Sequence, residues 1–366
     1  MNVIFAGSPA SSAKILRKMH FDGIDIKLVI SQPDKRSKRG SKQDLSDVSR
    51  TAEELGLKIV KPLDLNNEEF KKQILSLKVD FLIVSAYGKI IPEWLLNHPD
   101  KLPINVHFSL LPKYRGASPI QSVLVNGDNE TGISFMEMNQ SMDEGNIIKI
   151  FSLKINETDN KVLLEDRLSD LAVKNITKVL DSIICNEFDS IPQKHDLATY
   201  CSKVLKTDGK INFKESSEVI LRKFNAYKGW PGSYFLHNNV NIKVHEMHID
   251  SDSYKDLSGS LVKFNREGIV ITTGTSNVSS MNVFESVGNV GGNEGNATYS
   301  ILDYTAGGNS SYEDIFNRTS ELSYNQTFIT TYPYVSEIKG KVSAQLGGAH
   351  SLEINESSSY TYLFRL

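Results

Sequence analysis

Only two cysteines occur in 366 residues. Cys185 and Cys201 form no metal-ligand spacing, and without a secretion leader they read as reduced thiols of a cytosolic protein. Long apolar runs are missing as well, and none approaches the ~20 residues that a helical bilayer crossing needs. The opening MNVIFAGSPASSAKIL lacks a basic leader, and Gly7, Ser8 and Pro9 interrupt its apolar stretch, so no signal peptide is expected. No charge of one sign dominates. A net charge of −3 and a pI near 6.3 exclude global attraction to nucleic acid and leave only a local basic patch for such contact. There is no GxGxxG and no P-loop, so nothing supports nicotinamide or ATP binding. The remaining histidines, His245 and His248 among them, show no metal-ligand spacing, and no metal is expected.

What is present is a chain too long for one compact domain, with 39% hydrophobic residues, enough for real cores. NVIFAG, IKLVISQ, LKIVKP, VDFLIVSAYG, LPINVHFS and TGISFMEMN read as strands. SSAKILRKMHF, DVSRTAEELG, EEFKKQILSLK and SPIQSVLVNGD read as the helices between them. This alternation, with several continuous apolar strands, predicts an α/β fold: a Rossmann-like parallel sheet with helices on both faces and ligands beyond the carboxyl ends of the strands. VLLEDRLSDLAVKNITKVLDSII is a long amphipathic helix, and CNEFDSIPQKHDLATYCSK reads as a polar linker. SSEVILRKFNAYKGWPG is a helix broken at Gly229 and Pro231, followed by short strands with turns, the start of a small β-barrel or sandwich. Composition shifts near residue 277. From there four basic residues face nine acidic ones in Asn-, Ser- and Gly-rich sequence with β-prone pieces. The Asn-x-Ser/Thr triplets at Asn296, Asn317 and Asn325 arise readily by chance in such sequence, and glycosylation is not expected.

The chemistry concentrates in INVHFSLLPKYRGASPI. Asn105 and His107 stand two apart on a strand, so their side chains share a face. An amide can donate to a developing oxyanion, and a neutral imidazole exchanges protons near pH 7. Alone, such a pair is more often a satisfied polar contact at a strand end. A second apolar strand, however, runs into a loop carrying Asp143. If the two strands are neighbours, that carboxylate can hydrogen-bond the imidazole, and amide, imidazole and carboxylate surround one point. No serine or cysteine nucleophile accompanies them, which favours direct attack of an amine on a bound carbonyl. Ser109-Leu110-Leu111-Pro112 would lie beside that point, its backbone suited to a polar heterocycle, and Tyr87 with the flexible Gly88 ends the preceding strand. Finally, QPDKRSKRGSK gathers Lys35, Arg36, Lys38, Arg39 and Lys42 in one loop. Most such runs are solvated surface, but on a net-acidic chain this one suits a phosphate backbone.

With those residues in view, the chain resembles the folate-dependent formyltransferase family, in its methionyl-tRNA branch, from Met1 to about Thr275. FAGSP, QPD, SAYGKIIP, NVHFSLLPKYRGASPIQ and NGDNETGISFMEMNQSMDEGNI carry the family. ATYCSKVLKTDGKINF and FNAYKGWPGSYF narrow it to the tRNA branch. The resemblance implies a formyltransferase domain over 1–185, a linker over 186–208, and an OB-like barrel over 209–276 left incomplete by an atypical tail over 277–366. It implies 10-formyltetrahydrofolate as donor and initiator methionyl-tRNA as acceptor, with no metal, no membrane, and a cytoplasmic monomer. Asn105 would polarise the formyl oxygen, His107 would assist proton transfer, and Asp143 would orient His107. Ser109 to Pro112 would hold the folate, with Tyr87 and Gly88 covering it. The loop carrying Lys35, Arg36, Lys38, Arg39 and Lys42 would enter the tRNA acceptor arm. Ser11 stands where the family usually has an aromatic residue. The alternatives are a formyltransferase for a sugar or purine-pathway amine, and an inert enzyme fold carrying a β-rich binding tail.

Overall fold

The computed structural model describes residues 1–36, 43–237, 240–265, 268–274, 279–287, 300–306, 342–346, 350–354 and 360–365. The chain divides into two compact units, Met1–Val204 and Leu205–Leu366. The first unit runs β1 (Asn2–Gly7), α1 (Ala10–Phe21), β2 (Asp25–Ile30), β3 (Lys35–Arg36), β4 (Gln43–Asp44) and α2 (Asp47–Glu54). It continues with β5 (Ile59–Val60), α3 (Glu68–Leu75), β6 (Phe81–Ser85), α4 (Glu93–Leu96), β7 (Leu102–His107) and β8 (Arg115–Gly116). After these come α5 (Pro119–Asn126), β9 (Glu130–Glu137), β10 (Ile147–Lys154), α6 (Lys161–Ile184) and β11 (Tyr200–Cys201).

Local chemistry fixes several boundaries. Ser46, Asn67 and Asn160 cap α2, α3 and α6, each side-chain oxygen accepting backbone N–H groups of the first turn. Gly127, in the left-handed region, ends α5. The continuous apolar strands are buried on both faces: every residue of FLIVS in β6 is buried. On one face Ile4, Ala6, Leu28, Ile30, Leu82 and Val84 pack on Phe70 and Ile74 of α3 and Leu95 and Leu96 of α4.

The seven-stranded sheet has the order β10-β9-β7-β6-β1-β2-β5. β5, β2, β1, β6 and β7 are parallel, whereas β9 pairs antiparallel with β7 and β10 antiparallel with β9. The expected all-parallel sheet is therefore corrected to a mixed one. A helix, α5, separates β7 from β9, which matches a parallel crossover as well as an antiparallel return, and apolar content carries no strand direction. β10 adds an outer strand beyond those expected from the sequence; only one of its eight residues is buried, so it carries no continuous apolar run.

The stretch expected to be a linker over 186–208 belongs largely to the first unit. Ile191 and Ile147 exchange backbone hydrogen bonds at 2.8 and 2.9 Å, and β11 pairs in parallel with β8. Polar composition hid this strap, because it is held by polar contacts rather than by an apolar stripe.

The second unit contains α7 (Ser217–Ala226), β12 (Ser233–His237), β13 (Val240–Ser253), β14 (Leu261–Asn265), β15 (Gly268–Thr272) and β16 (Ser279–Val287). They form an antiparallel sheet of order β12-β13-β16-β15-β14. Ile220 and Phe224, one turn apart on α7, pack on Phe235, Ile242, Val244, Met247, Ile269 and Ile271. β16 lies between β13 and β15, so the sheet extends past the boundary placed at 276. Its Asn- and Ser-rich composition disguised an inner strand. Among the described residues the edge strands β12 and β14 do not pair with each other, so the described ladder is an open sheet. Further along, β17 (Ser300–Ala306) pairs with β20 (Tyr360–Arg365), and β18 (Val342–Leu346) with β19 (His350–Ile354). No helix among the described residues is long and apolar enough to cross a membrane.

Candidate active site

β7 lies between β6 and β9, with Val84 opposite Asn105 and Ser134 opposite His107. Asn105 and His107 project from the same face of β7, and the loop from 138 to 146 brings Asp143 onto it. Because β9 is antiparallel to β7, this loop leaves near the start of β7 and must double back to reach residues 105 and 107. Asn105 Nδ2 donates to Asp143 Oδ1 at 3.2 Å, and the Gly116 N–H donates to Asp143 Oδ2 at 2.8 Å. The same Oδ2 lies 3.7 Å from His107 Nδ1. Amide, imidazole and carboxylate therefore do converge.

The tautomer of His107 follows from its other partner. Nε2 lies 2.9 Å from the Tyr114 carbonyl oxygen. A carbonyl can only accept, so Nε2 carries the hydrogen and Nδ1 is the ring atom left to exchange a proton. Likewise the Asn105 amide must turn its nitrogen to the carboxylate, and one N–H of that NH2 group remains for a ligand. His107 is 6% exposed, so an interaction made here is shielded from water.

The turn from Ser109 to Pro112 sits beside this cluster and contains a cis Leu111–Pro112 bond. Ser134 of β9 pins it: its hydroxyl donates to the Ser109 carbonyl at 2.7 Å and accepts from the Leu111 N–H at 3.0 Å. Ser109 is itself buried and donates to the Lys113 carbonyl, while Leu110 is half-buried. Ser134→Ala leaves two backbone groups without their partner, at a cost of about 1–3 kcal/mol. We expect the thermal midpoint to fall by roughly 5 °C, measured by circular dichroism; an unchanged midpoint would show that water replaces the hydroxyl without loss.

Tyr87 is buried against the cluster of Ile4, Leu82 and Leu95, and burial pushes its phenol up to about 12. Its carbonyl accepts from Gln32 Nε2 at 2.7 Å, and the following Gly88 has φ +80°. Tyr87 is thus a core residue rather than an open cover. Lys35 and Arg36 form β3, paired with Asp44 and Gln43 of β4. Lys38, Arg39 and Lys42 lie outside the described residues. Ser11, in the aromatic position, donates to Glu165 at 3.0 Å.

Sequence reasoning missed the residues that support the cluster. Arg115 is fully buried. Its guanidinium donates to Gln193 Oε1 at 2.8 and 3.1 Å, to Glu144 Oε1 at 3.1 Å and to the Tyr200 hydroxyl at 3.1 Å, and reaches His195 Nδ1 at 3.4 Å. Cys201 donates from its thiol toward the Tyr114 and Arg115 carbonyls, and burial pushes that thiol up, keeping it protonated. The one available signal was arginine and glycine side by side in KYRGA, which reads equally well as solvated loop. Among the described residues no group of three His, Cys, Asp or Glu side chains is placed to hold a metal.

Residues 1–180 match the family described as formyl transferase, and residues 203–283 match the formyl transferase C-terminal domain. A methionyl-tRNA formyltransferase of a Sulfurihydrogenibium species is 36% identical over 276 residues, covering 75% of this chain and 89% of that protein. The methionyl-tRNA formyltransferase of Staphylococcus epidermidis is 34% identical over 286 residues, covering 78% and 92%. Among solved structures, an N-formyltransferase from Helicobacter canadensis, in complex with folinic acid and dTDP-3-aminofucose, superposes with a TM-score of 0.57. It is 20% identical, covering 77% of this chain and 98% of that one, and so speaks for the fold alone.

Proposed function

This chain belongs to the formyl transferase family and is a formyltransferase; we propose that its donor is 10-formyltetrahydrofolate and its acceptor the free amino group of initiator methionyl-tRNA. The observation that carries the chemistry is the convergence of Asn105, His107 and Asp143 on one point. The donor supplies a formyl carbon on a folate nitrogen. A bond from the amine nitrogen to that carbon forms, the bond to the folate nitrogen breaks, and a proton passes from amine to folate nitrogen. Asn105 offers its remaining N–H to the formyl oxygen as that oxygen gains charge. His107 moves the proton at Nδ1, because Nε2–H is committed to Tyr114. Asp143 accepts from Asn105 and, 3.7 Å from Nδ1, faces the charge that develops on the ring.

The donor site in this reading is the turn Ser109-Leu110-Leu111-Pro112, with Tyr87 and Gly88 as its wall. The half-buried Leu110, its side chain against Gly132 of β9, fits a flat heterocycle that is polar at its edge. For the second unit the reading keeps an OB-like barrel, supported by β13. That strand is 14 residues long, breaks register at two places, and pairs with β12 on one side and β16 on the other, as strands that turn barrel corners do.

Two features favour tRNA over a small amine. One is the basic run Lys35, Arg36, Lys38, Arg39 and Lys42, whose first two residues form β3, paired with β4. In the second unit, Lys206, Lys228, Lys243 and His245 line a groove of about 620 Å³. Burial, and then the ammonium groups of Lys228 and Lys243, hold His245 below its ordinary range, as one-signed charge in a groove should. The test pairs radiolabelled donor with charged initiator tRNA, and separately with a dTDP-amino sugar. Formylmethionine is expected only from the tRNA; a formylated sugar instead would overturn the acceptor. Arg39→Ala with Lys42→Ala is expected to raise KM for tRNA and to flatten its salt dependence by about one unit per lost phosphate contact. The KM for folate should not move.

A further inference from the structure

Asp143 is an unlikely place for a rigid carboxylate on local grounds. Asn139 to Met142, just before it, are exposed, and Asp143 itself has φ +55°, a left-handed conformation that side chains other than glycine adopt at a cost. Something else must hold it. Gln193, 5% exposed, donates both hydrogens of its amide nitrogen to the loop: to the Asp143 carbonyl at 2.9 Å and to the Gly145 carbonyl at 2.7 Å. Its oxygen takes two hydrogen bonds from Arg115, so the amide has one possible orientation. Between those two carbonyls, the Glu144 side chain is held by Arg115 and by the Tyr200 hydroxyl at 3.2 Å. Arg115 begins β8, which pairs with Tyr200 and Cys201 of the strap, and the next residue, Gly116, donates its N–H to the Asp143 carboxylate. On the other side Tyr114, whose carbonyl sets the His107 tautomer, donates its N–H to Thr199 Oγ1 at 2.8 Å.

We propose that the strap from Gln193 to Cys201 is a catalytic clamp, in which Gln193 and Arg115 are positioning residues that hold the backbone of Asp143 and Tyr200 completes their hold on Glu144. The proposal rests on the catalytic reading of Asn105, His107 and Asp143. None of the clamp residues touches the reacting atoms. They act through the Asp143 and Gly145 carbonyls, on the stretch of backbone that carries the carboxylate, and a shift of about 1 Å there is enough to cost a factor of about a hundred in rate.

The test is kinetic, on the full chain. Gln193→Glu keeps an acceptor for Arg115 but sets a carboxylate oxygen against two carbonyls. We expect kcat for formyl transfer to fall about ten- to hundredfold, with KM for donor and acceptor within about twofold. Tyr200→Phe is the safer variant, because this side chain is 66% exposed and its loss leaves the core intact; kcat is expected to fall about threefold. Both are then built into Asp143→Ala and followed under single-turnover conditions. A clamp that works through Asp143 gives no further loss there. Losses that multiply in that background, or an unchanged kcat in both single variants, would overturn the clamp. If Asp143→Ala alone transfers at full rate, the catalytic reading itself falls, a result separable from failure of the clamp with Asp143 upheld.

Discussion

Replacing His107 with alanine is expected to lower kcat by about two to four orders of magnitude, and Asn105→Ala by a similar factor, the range measured when a general acid–base or an oxyanion donor is removed. Donor binding should change little in either case, because the turn at Ser109 to Pro112 is held by Ser134 and not by the cluster. Single-turnover rates and equilibrium binding of a folate analogue measure these separately. Turnover near the wild-type value in either variant would reject the assignment.

The second large effect is expected at Gly116. Its φ is +114°, outside the range that L side chains adopt readily, and a Cβ there would stand 2.3 Å from the Cys201 carbonyl oxygen. The obstacle is backbone, held by its own hydrogen bond from the Ala117 N–H at 3.1 Å. Gly116→Ala must therefore part β8 from β11 or rotate the peptide whose N–H holds Asp143. We expect a loss on the order of 3 kcal/mol from backbone strain, which lowers the thermal midpoint by roughly 6–12 °C in a unit of this size. Any folded fraction should also be slow, because the carboxylate has lost one of its partners. A variant that melts with the parent and keeps its rate would show that the 114–116 segment is more compliant than its contacts imply.

Much of the first unit is legible in the sequence, because its strands are continuous apolar runs and its helices carry capping residues. The i, i+2 spacing of Asn105 and His107 is equally readable, since strand geometry alone puts both on one face. What spacing cannot give is direction. The antiparallel course of β9 decides that Asp143 must arrive on a loop that doubles back. The supporting residues are harder still to see. Arg115 resembles a solvated loop arginine until its partners arrive from about 80 positions later, and Gln193 resembles any polar linker residue. In the second unit, β16 earns its place by backbone pairing with β13 and β15, a property that its Asn and Ser content conceals.

The strap also bears on how such enzymes can be cut and recombined. A module defined by its globular helices would end at Ile184, where α6 closes, and the family match to the first domain stops close by, at residue 180. Cut there, the piece would keep its sheet, its helices and all three reacting side chains. It would lack Gln193, Thr199, Tyr200 and Cys201, and with them every partner of the Arg115 guanidinium but Glu144, the acceptor of the Tyr114 N–H and the donor to the Asp143 carbonyl. The inheritable unit of this chemistry is therefore longer than its fold. Swaps between family members should exchange residues 1–204 as one block, so that each aspartate travels with the stretch of chain that steadies it.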